Sequence, residues 1–432
     1  MNHLSFPSFF SPLCGVLLLA TIGRAQESAL SEPASVSLPI IVGEIAANNP
    51  ELKFYEAEIS AAKAGLRGAG TYNNPELGLD VGRRRLKDPS GALIGDGASW
   101  GVSVTQTFEW PGRLALRKAV ANRQVDLAEL GLSRFKLALE ARARSLAFGL
   151  YASAEKSAAI REVADRFAAL KETFLARDPA GVTPLLETRV IEAQELAIQR
   201  RATAAELGAQ AALIELNQLR GVPPATELRA SATKLVFHPA PDLNALLIAA
   251  RENNFDFRAK KLELEQQGFA VQLAQNERYP SFSVSPYFSQ AKAGDKEQNY
   301  GIGLSIPLPL TSRNRAAIDV AKARQNQAEV AVLLAQRELE RTVLTSAHAF
   351  RARVAESQRW SSEAVQKFRE AADLADRHYR LGAVPIATYI ELQNSYLDAV
   401  EALLDTKIEA LEAGLLLQQL TGVDFKPVEI AP

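Results

Sequence analysis

The side chains that most often perform chemistry are few in this chain and poorly spaced for it. There are four histidines and one cysteine in 432 residues. His238, His348 and His378 never stand four apart, so no helical turn offers a local two-histidine metal site. No His-Glu-x-x-His zinc motif, phosphate-binding P-loop or dinucleotide glycine pattern occurs. Cys14 lies in an N-terminal apolar stretch, which leaves no thiol nucleophile, disulfide or thiolate metal site after it. His348 and His378 read as packing or surface residues of helices. Glu129 and Glu329 recur at equivalent places, but on helices this rich in Glu they read as solvated faces. The chain is therefore not read as an enzyme, and no catalytic, cofactor-binding or metal-ligating residue is assigned.

The N-terminus accounts for the cysteine. Leu13 to Ile22 is an apolar run, and Gly23 and Ala25 are small residues at −3 and −1 of a cut after Ala25. Residues 1–25 thus read as a secretory signal peptide, although only His3 supplies charge before the run. Leu13 precedes Cys14 and the run follows it, the reverse of a lipidation site. Charge is balanced at 49 basic and 50 acidic side chains, which argues against a nucleic-acid partner. No later stretch approaches the roughly 18 uninterrupted apolar residues of a spanning helix. Any membrane-embedded part must be β-strand.

The elements that position everything else are written twice. Asn48-Asn49-x-Glu51 recurs as Asn253-Asn254-x-Asp256, and Pro75 recurs as Pro280. Trp100-Gly101-Val102-x-Val104 meets Tyr300-Gly301-Ile302-x-Leu304. Gly181-Val182-Thr183-Pro184 meets Gly382-Ala383-Val384-Pro385, and Leu219-x-Gly221-Val222 meets Leu420-x-Gly422-Val423. The organisation read from this is a signal peptide (1–25), an extension (26–39), a first repeat (40–222), a Pro-rich linker (223–244), a second repeat (245–423) and a tail (424–432). Each repeat runs helix, β-hairpin, very long helix, turn, helix.

The helical segments are rich in Ala, Leu, Glu, Gln and Arg. From Gly112 to Arg177 there is no proline, a helix of roughly 100 Å. Leu132, Phe135, Leu139, Ala143, Leu146 and Leu150 step along it like a heptad seam, matched by Val332, Ala335, Leu339, Val343, Ser346 and Phe350. Leu130, Leu137 and Phe148 lie off that seam. Two seams suit a helix with neighbours on both flanks.

Two hairpins are expected at about 75–109 and 280–309. Leu77, Leu79 and Val81 alternate with Gly78 and Asp80, and Trp100, Val102 and Val104 with Gly101, Ser103 and Thr105. The second hairpin alternates likewise through Phe282, Val284 and Phe288, then Tyr300, Ile302 and Leu304. Period two gives one apolar and one small or polar face, as a lipid-facing strand requires, with Trp100, Trp110 and Tyr300 as interface aromatics. Half-buried strands of a soluble sheet would alternate too. If the strands do span, four cannot close a barrel and lipid tolerates no open edge, so the chain must oligomerise. The connections Lys87–Ala98 and Ala291–Gln298 are expected as loops.

These residues resemble the TolC family of outer-membrane factors over residues 40–423. The resemblance is carried by Asn74-Pro75-Glu76-Leu77, Gln106-Thr107-Phe108-Glu109-Trp110-Pro111-Gly112-Arg113, Tyr279-Pro280, Ile306-Pro307-Leu308, and Tyr379-Arg380-Leu381-Gly382 running through Ile390-Glu391-Leu392-Gln393 to Leu420-Thr421-Gly422. The strand start and the Trp-Pro-Gly-Arg exit look most like the CzcC branch, which serves heavy-metal exporters. The resemblance implies a homotrimer in the outer membrane, a 12-stranded barrel continued by a periplasmic α-helical barrel. Helices 40–72 with 184–220, and 245–278 with 386–420, would stack end to end, while the long helices run unbroken. It also implies a periplasmic adaptor and an inner-membrane resistance-nodulation-division pump as partners, with no chemistry in the duct. Drug efflux, type I protein secretion and a periplasmic coiled-coil scaffold or adaptor are the competing readings. The adaptor-docking tip is expected at Gly181, Val182, Thr183 and Pro184 and at Gly382, Ala383, Val384 and Pro385. Some relatives close the tip with acids after the turn, and the matching residues here are Glu187 and Glu391.

Overall fold

A computed structural model describes residues 35–177, 185–231, 234–308, 313–422 and 428–431. The elements are β1 (Ser35–Val36), α1 (Leu38–Asn48), α2 (Leu52–Ala69), β2 (Glu76–Lys87), β3 (Leu93–Phe108), α3 (Arg113–Arg177), α4 (Leu185–Arg220), β4 (Arg229–Ala230) and β5 (Lys234–Phe237). The second half adds α5 (Leu243–Asn253), α6 (Phe255–Asn276), β6 (Phe282–Ala293), β7 (Asp295–Ser305), α7 (Arg313–Arg359), α8 (Ser362–Arg380), α9 (Ile386–Thr421) and β8 (Val428–Ala431). No helix among the described residues is long and apolar enough to cross a membrane.

Both seams point inward. Leu139, Ala143 and Leu150 on α3 are buried, as are Leu339, Val343, Ser346 and Phe350 on α7. Leu130 and Phe148 of the second seam are buried too. That is consistent with the helices packed against α3, which are α1, α2 and α4 together with α6 and α9. Inter-helix ion pairs mark these flanks: Lys171 reaches Glu195 of α4 at 2.9 Å, and Lys156 reaches Asp405 of α9 at 2.5 Å. His348 and His378 are exposed, as surface residues should be.

The long helices are not alike. The first is continuous over 65 residues. The second, expected unbroken, is instead two helices meeting at Trp360-Ser361. Ser361 is extended, with φ −83° and ψ 158°, and its hydroxyl accepts from the Ala364 amide at 3.2 Å. A serine offers the backbone this cap in place of a helical hydrogen bond. The first half carries Ile160-Arg161 at the corresponding place, with nothing to start a new helix.

The entry helices are divided as well. Asn49 and Asn254 stand at the breaks between α1 and α2 and between α5 and α6. Segment 223–244 carries β4, which pairs in parallel with β1, and β5, which pairs antiparallel with β8. Around them Leu38, Ile41, Ile45, Leu216, Leu246, Leu411 and Leu417 are at most 1% exposed.

The four remaining strands form one antiparallel sheet in the order β2-β3-β6-β7. Its central pairing joins the two halves, β3 to β6. The expected loops are largely strand: only residues 88–92 and Gly294 separate the paired strands. Gly294 turns with φ 98°.

Candidate functional site

The sheet has two unlike faces, and the register assigns every residue to one of them. Leu79 pairs with Val102, Val102 with Phe288, and Phe288 with Tyr300, giving an apolar row across all four strands. Leu77–Val104 and Val284–Leu304 are further cross-strand pairs on the same face. This face lies open: Val81 is 88% exposed, Tyr300 84% and Ile302 76%. On the other face Gly78 meets Ser103, Ser103 meets Tyr287, and Tyr287 meets Gly301. Thr105 with Ser285 and Thr107 with Ser283 each share a hydroxyl hydrogen bond at 2.9 Å there. Burial of apolar surface normally drives folding. A contiguous apolar face left open therefore marks contact with another apolar phase or chain.

Aromatic side chains stand at both ends of that apolar face. Trp100 packs beside Phe288 with ring centroids 5.5 Å apart. At the helical end Phe108 stacks on Phe282 at 5.4 Å, and Trp110 on Tyr279 at 4.9 Å. Trp100 and Phe108 are eight residues apart, about 26 Å along a strand. That matches the roughly 25 Å apolar band of spanning barrels. Of the aromatics expected from the sequence, Trp100, Trp110 and Tyr300 all lie on or beside the apolar face. Tyr279 was not assigned a role from sequence, and its stacking on Trp110 gives it one.

The Trp-Pro-Gly-Arg segment builds the strand-to-helix junction. Gly112 takes φ 86°, turning the chain from β3 into α3. Arg113 then reaches the end of α6, where its guanidinium donates to the Asn276 and Tyr279 carbonyls at 3.3 and 2.6 Å. The Asn276 amide returns a bond to the Pro111 carbonyl at 3.0 Å. A cation at a helix C-terminus is placed where orphan carbonyls and the helix dipole favour it. The exit of one repeat is thereby fastened to the entry of the other.

The far end of the helices carries the second candidate site. Gly181, Val182, Thr183 and Pro184 lie outside the described residues. Gly382 has φ 74°, its amide donates to the Tyr379 carbonyl at 2.9 Å, and Ala383 donates to the His378 carbonyl at 2.9 Å. That is the paired capping pattern of a helix stopped by a left-handed residue. After Val384, Pro385 is the N-cap of α9 rather than its first helical residue.

Behind the turn, Tyr389 is fully buried between Phe167 and Tyr379, with ring centroids 5.2 and 5.3 Å away. Burial, assisted by the Asp376 carboxylate, raises the Tyr389 phenol well above its ordinary range. The Tyr379 phenol is pushed up to about 12, chiefly by burial, with the carboxylate of Glu187 adding to it. Next to this cluster, Arg166 of α3 binds Glu162, Asp373 of α8 and Gln393 of α9. Glu187 is half-buried and Glu391 exposed. Among the described residues no group of three or more His, Cys, Asp or Glu side chains is arranged to hold a metal.

Residues 246–423 match the family model described as outer membrane efflux protein. The chain is 23% identical over 415 residues to the cobalt-zinc-cadmium resistance protein CzcC of Cupriavidus metallidurans, covering 95% of this chain and 93% of that one. It is 24% identical over 405 residues to the pyoverdine export outer membrane protein OpmQ of Pseudomonas putida, covering 88% and 84%. Among solved structures, the Campylobacter jejuni CmeC outer membrane channel superposes with a TM-score of 0.73 at 16% identity, covering 98% of this chain and 95% of that one. Residues 246–423 thus form an outer membrane efflux protein domain, and with its length shared with these relatives and its fold shared with such channels the chain is an outer-membrane efflux channel component, not an enzyme.

Proposed function

We propose that three copies of this chain close a 12-stranded barrel through the outer membrane, continued into the periplasm by a helical barrel. The observation that carries this reading is the four-stranded sheet with an exposed apolar face and two unpaired outer edges, β2 and β7. Lipid offers those edges no hydrogen bonds, and joining β7 of one copy to β2 of the next satisfies them all. Exposed apolar residues on the helices support the same assembly. Leu196, Leu207 and Ile214 share one face of α4, and Val320, Val330, Leu333 and Leu334 are exposed on α7. In detergent the mature protein should run as three chains and resist dilution. A stable, detergent-free monomer overturns the reading.

In this reading the duct is passive, and an inner-membrane resistance-nodulation-division pump drives export through a periplasmic adaptor. The adaptor docks at the turn 382–385 and at its sequence counterpart 181–184, and Glu187 and Glu391 with their symmetry copies form an acidic ring at the tip. The cargo proposed is divalent heavy-metal cations. The similarity to CzcC, named for cobalt, zinc and cadmium resistance, supports that choice, and an acidic tip attracts cations. The comparable similarity to OpmQ, named for pyoverdine export, favours a second reading as a duct for small organic cargo. Deleting the gene and measuring cellular zinc, cobalt and cadmium beside organic-compound sensitivity separates the two. Glu187→Gln with Glu391→Gln should alter single-channel conductance and its block by divalent cations; unchanged traces overturn the ring.

A further inference from the structure

The outward face of the sheet changes character immediately beyond its aromatic row. Trp100 is in register with Val81 on one side and Gln290 on the other. The next positions of the same face are Arg83 opposite Ala98, and Lys292 opposite Lys296. Arg85 opposite Asp96 follows. All four cations are exposed. Asp96 is the one carboxylate on this part of the face, meeting Arg83 at 2.6 Å and Arg85 at 3.4 Å. By strand alternation Asp295 and Glu297 belong to the opposite face, where Glu297 pairs with Arg84.

Lys292 and Lys296 are directly opposed on neighbouring strands, an arrangement that repels. No ion pair to either is formed among the described residues. Assembly does not relieve them. In the assembly proposed above β7 closes onto β2 of the next copy, whose outward face at this end carries Arg83 and Arg85 and no acid. The counter-charge must come from outside the protein. Its place is fixed by the sheet: one step beyond Trp100, where the apolar face ends and a lipid headgroup begins.

We propose that this belt binds the phosphate groups of an anionic lipid headgroup at the outer rim of the membrane, an inference that rests on the spanning-barrel reading above. Guanidinium groups present a planar fork suited to phosphate, and the lysines add point charge beside it. A basic side chain near an anionic lipid surface raises affinity about fivefold.

The test uses the full-length mature protein in neutral detergent, with bound lipid read by native mass spectrometry. The probes are a diphosphorylated lipid A, the same lipid dephosphorylated, phosphatidylcholine, and inorganic phosphate alone. The phosphorylated lipid should bind in preference to the other two lipids, and inorganic phosphate at equal concentration should not displace it. Lys292→Gln with Lys296→Gln should lower its affinity about thirtyfold, while Lys292→Arg with Lys296→Arg should retain it. Equal binding of phosphorylated and dephosphorylated lipid by the native protein overturns the proposal without any variant, as does indifference to the glutamine pair. Displacement by inorganic phosphate reassigns the belt to a free anion and overturns the lipid. The same spectra report the oligomer. A chain that is not a detergent-bound trimer refutes the duct itself, whereas an intact trimer indifferent to lipid phosphate refutes only the belt.

Discussion

The Asn49 side-chain amide donates to the Leu219 carbonyl at 2.9 Å, and its counterpart Asn254 donates to the Leu420 carbonyl at 3.1 Å. The same two side chains accept from the Glu51 and Phe257 amides, each at 2.9 Å. Both asparagines are buried. One residue thus satisfies an orphan amide of a helix that starts and an orphan carbonyl of a helix that ends, fastening α4 to the α1–α2 break and α9 to the α5–α6 break.

Asn49→Ala or Asn254→Ala leaves a buried carbonyl without its donor and the Glu51 or Phe257 amide without its acceptor. Each should cost about 2–3 kcal/mol. The two sites share no partner, so the double variant should be additive. Denaturation midpoints of the detergent-solubilised protein measure this. An effect of a few tenths would show that water replaces the amide and that the joint is not what holds the helix ends together.

Two of the glycines that stop helices, Gly382 and Gly422, should not respond alike. Gly422 takes φ 96°, and an added Cβ would lie 2.2 Å from the Cβ of Asn253. Gly382 takes φ 74° with nothing within 4 Å of the added atom. Gly382→Ala should therefore cost only the left-handed backbone penalty of about 1 kcal/mol. Gly422, with ψ −166°, lies in a region essentially reserved for glycine, so Gly422→Ala carries a larger backbone penalty and must also push the Asn253-Asn254 joint apart, and it should be clearly the worse of the two. Equal losses in thermal unfolding would mean that the joint yields freely.

Much of this was legible in the residues, and the misses have physical causes. The heptad steps from Leu132 to Leu150 placed α3 correctly because a helix buries what its period repeats. The same rule concealed the break at Ser361. Apolar periodicity runs on either side of it, and only the Trp-Ser-Ser-Glu composition marks the cap. Strands β3, β6 and β7 run into the expected loops because residues 93–98 and 291–298, with cations such as Lys292 and Lys296 among them, carry no apolar–polar alternation. Which face those cations occupy follows from cross-strand register, which no single strand encodes. The pairings of Ser35 with Arg229 and Lys234 with Ala431 join distant segments too short to carry any pattern.

Alkaline pH should loosen the end of the bundle at the Gly382 turn. Tyr379 and Tyr389 are held neutral in the folded chain, Tyr379 up to about 12. In the unfolded chain both titrate near the ordinary tyrosine value of about 10. Below that pH both states keep the proton and stability is at its plateau. Above it the unfolded chain ionises first, so stability falls as pH rises from about 10 through 12. Tyr379→Phe and Tyr389→Phe should each flatten that decline relative to the native protein. Parallel pH profiles for native and variant chains would remove these phenols as its cause.

Arg166 is one of two side chains that tie α8 to α3, the other being Arg369 through Glu162, while α8 packs chiefly on α9. The Arg166 side chain is 16% exposed and joins Glu162, Asp373 and Gln393 on three different helices. Removing one partner of a fully buried ion pair costs about 3–5 kcal/mol. Two features reduce that figure here. Asp373 is 42% exposed and regains water, and Glu162 keeps Arg369 at 3.1 Å. Arg166→Met should therefore cost about 1–2 kcal/mol, close to that of a good exposed pair plus one lost hydrogen bond. The loss should be local, because α8 is already severed from α7 at Ser361 and lacks the continuous helix that anchors α3. Hydrogen exchange should accelerate over residues 362–380 while the amides of α7 and the sheet keep their protection. Uniform acceleration along α7 and α8 would mean that the two behave as one rod despite the Ser361 cap.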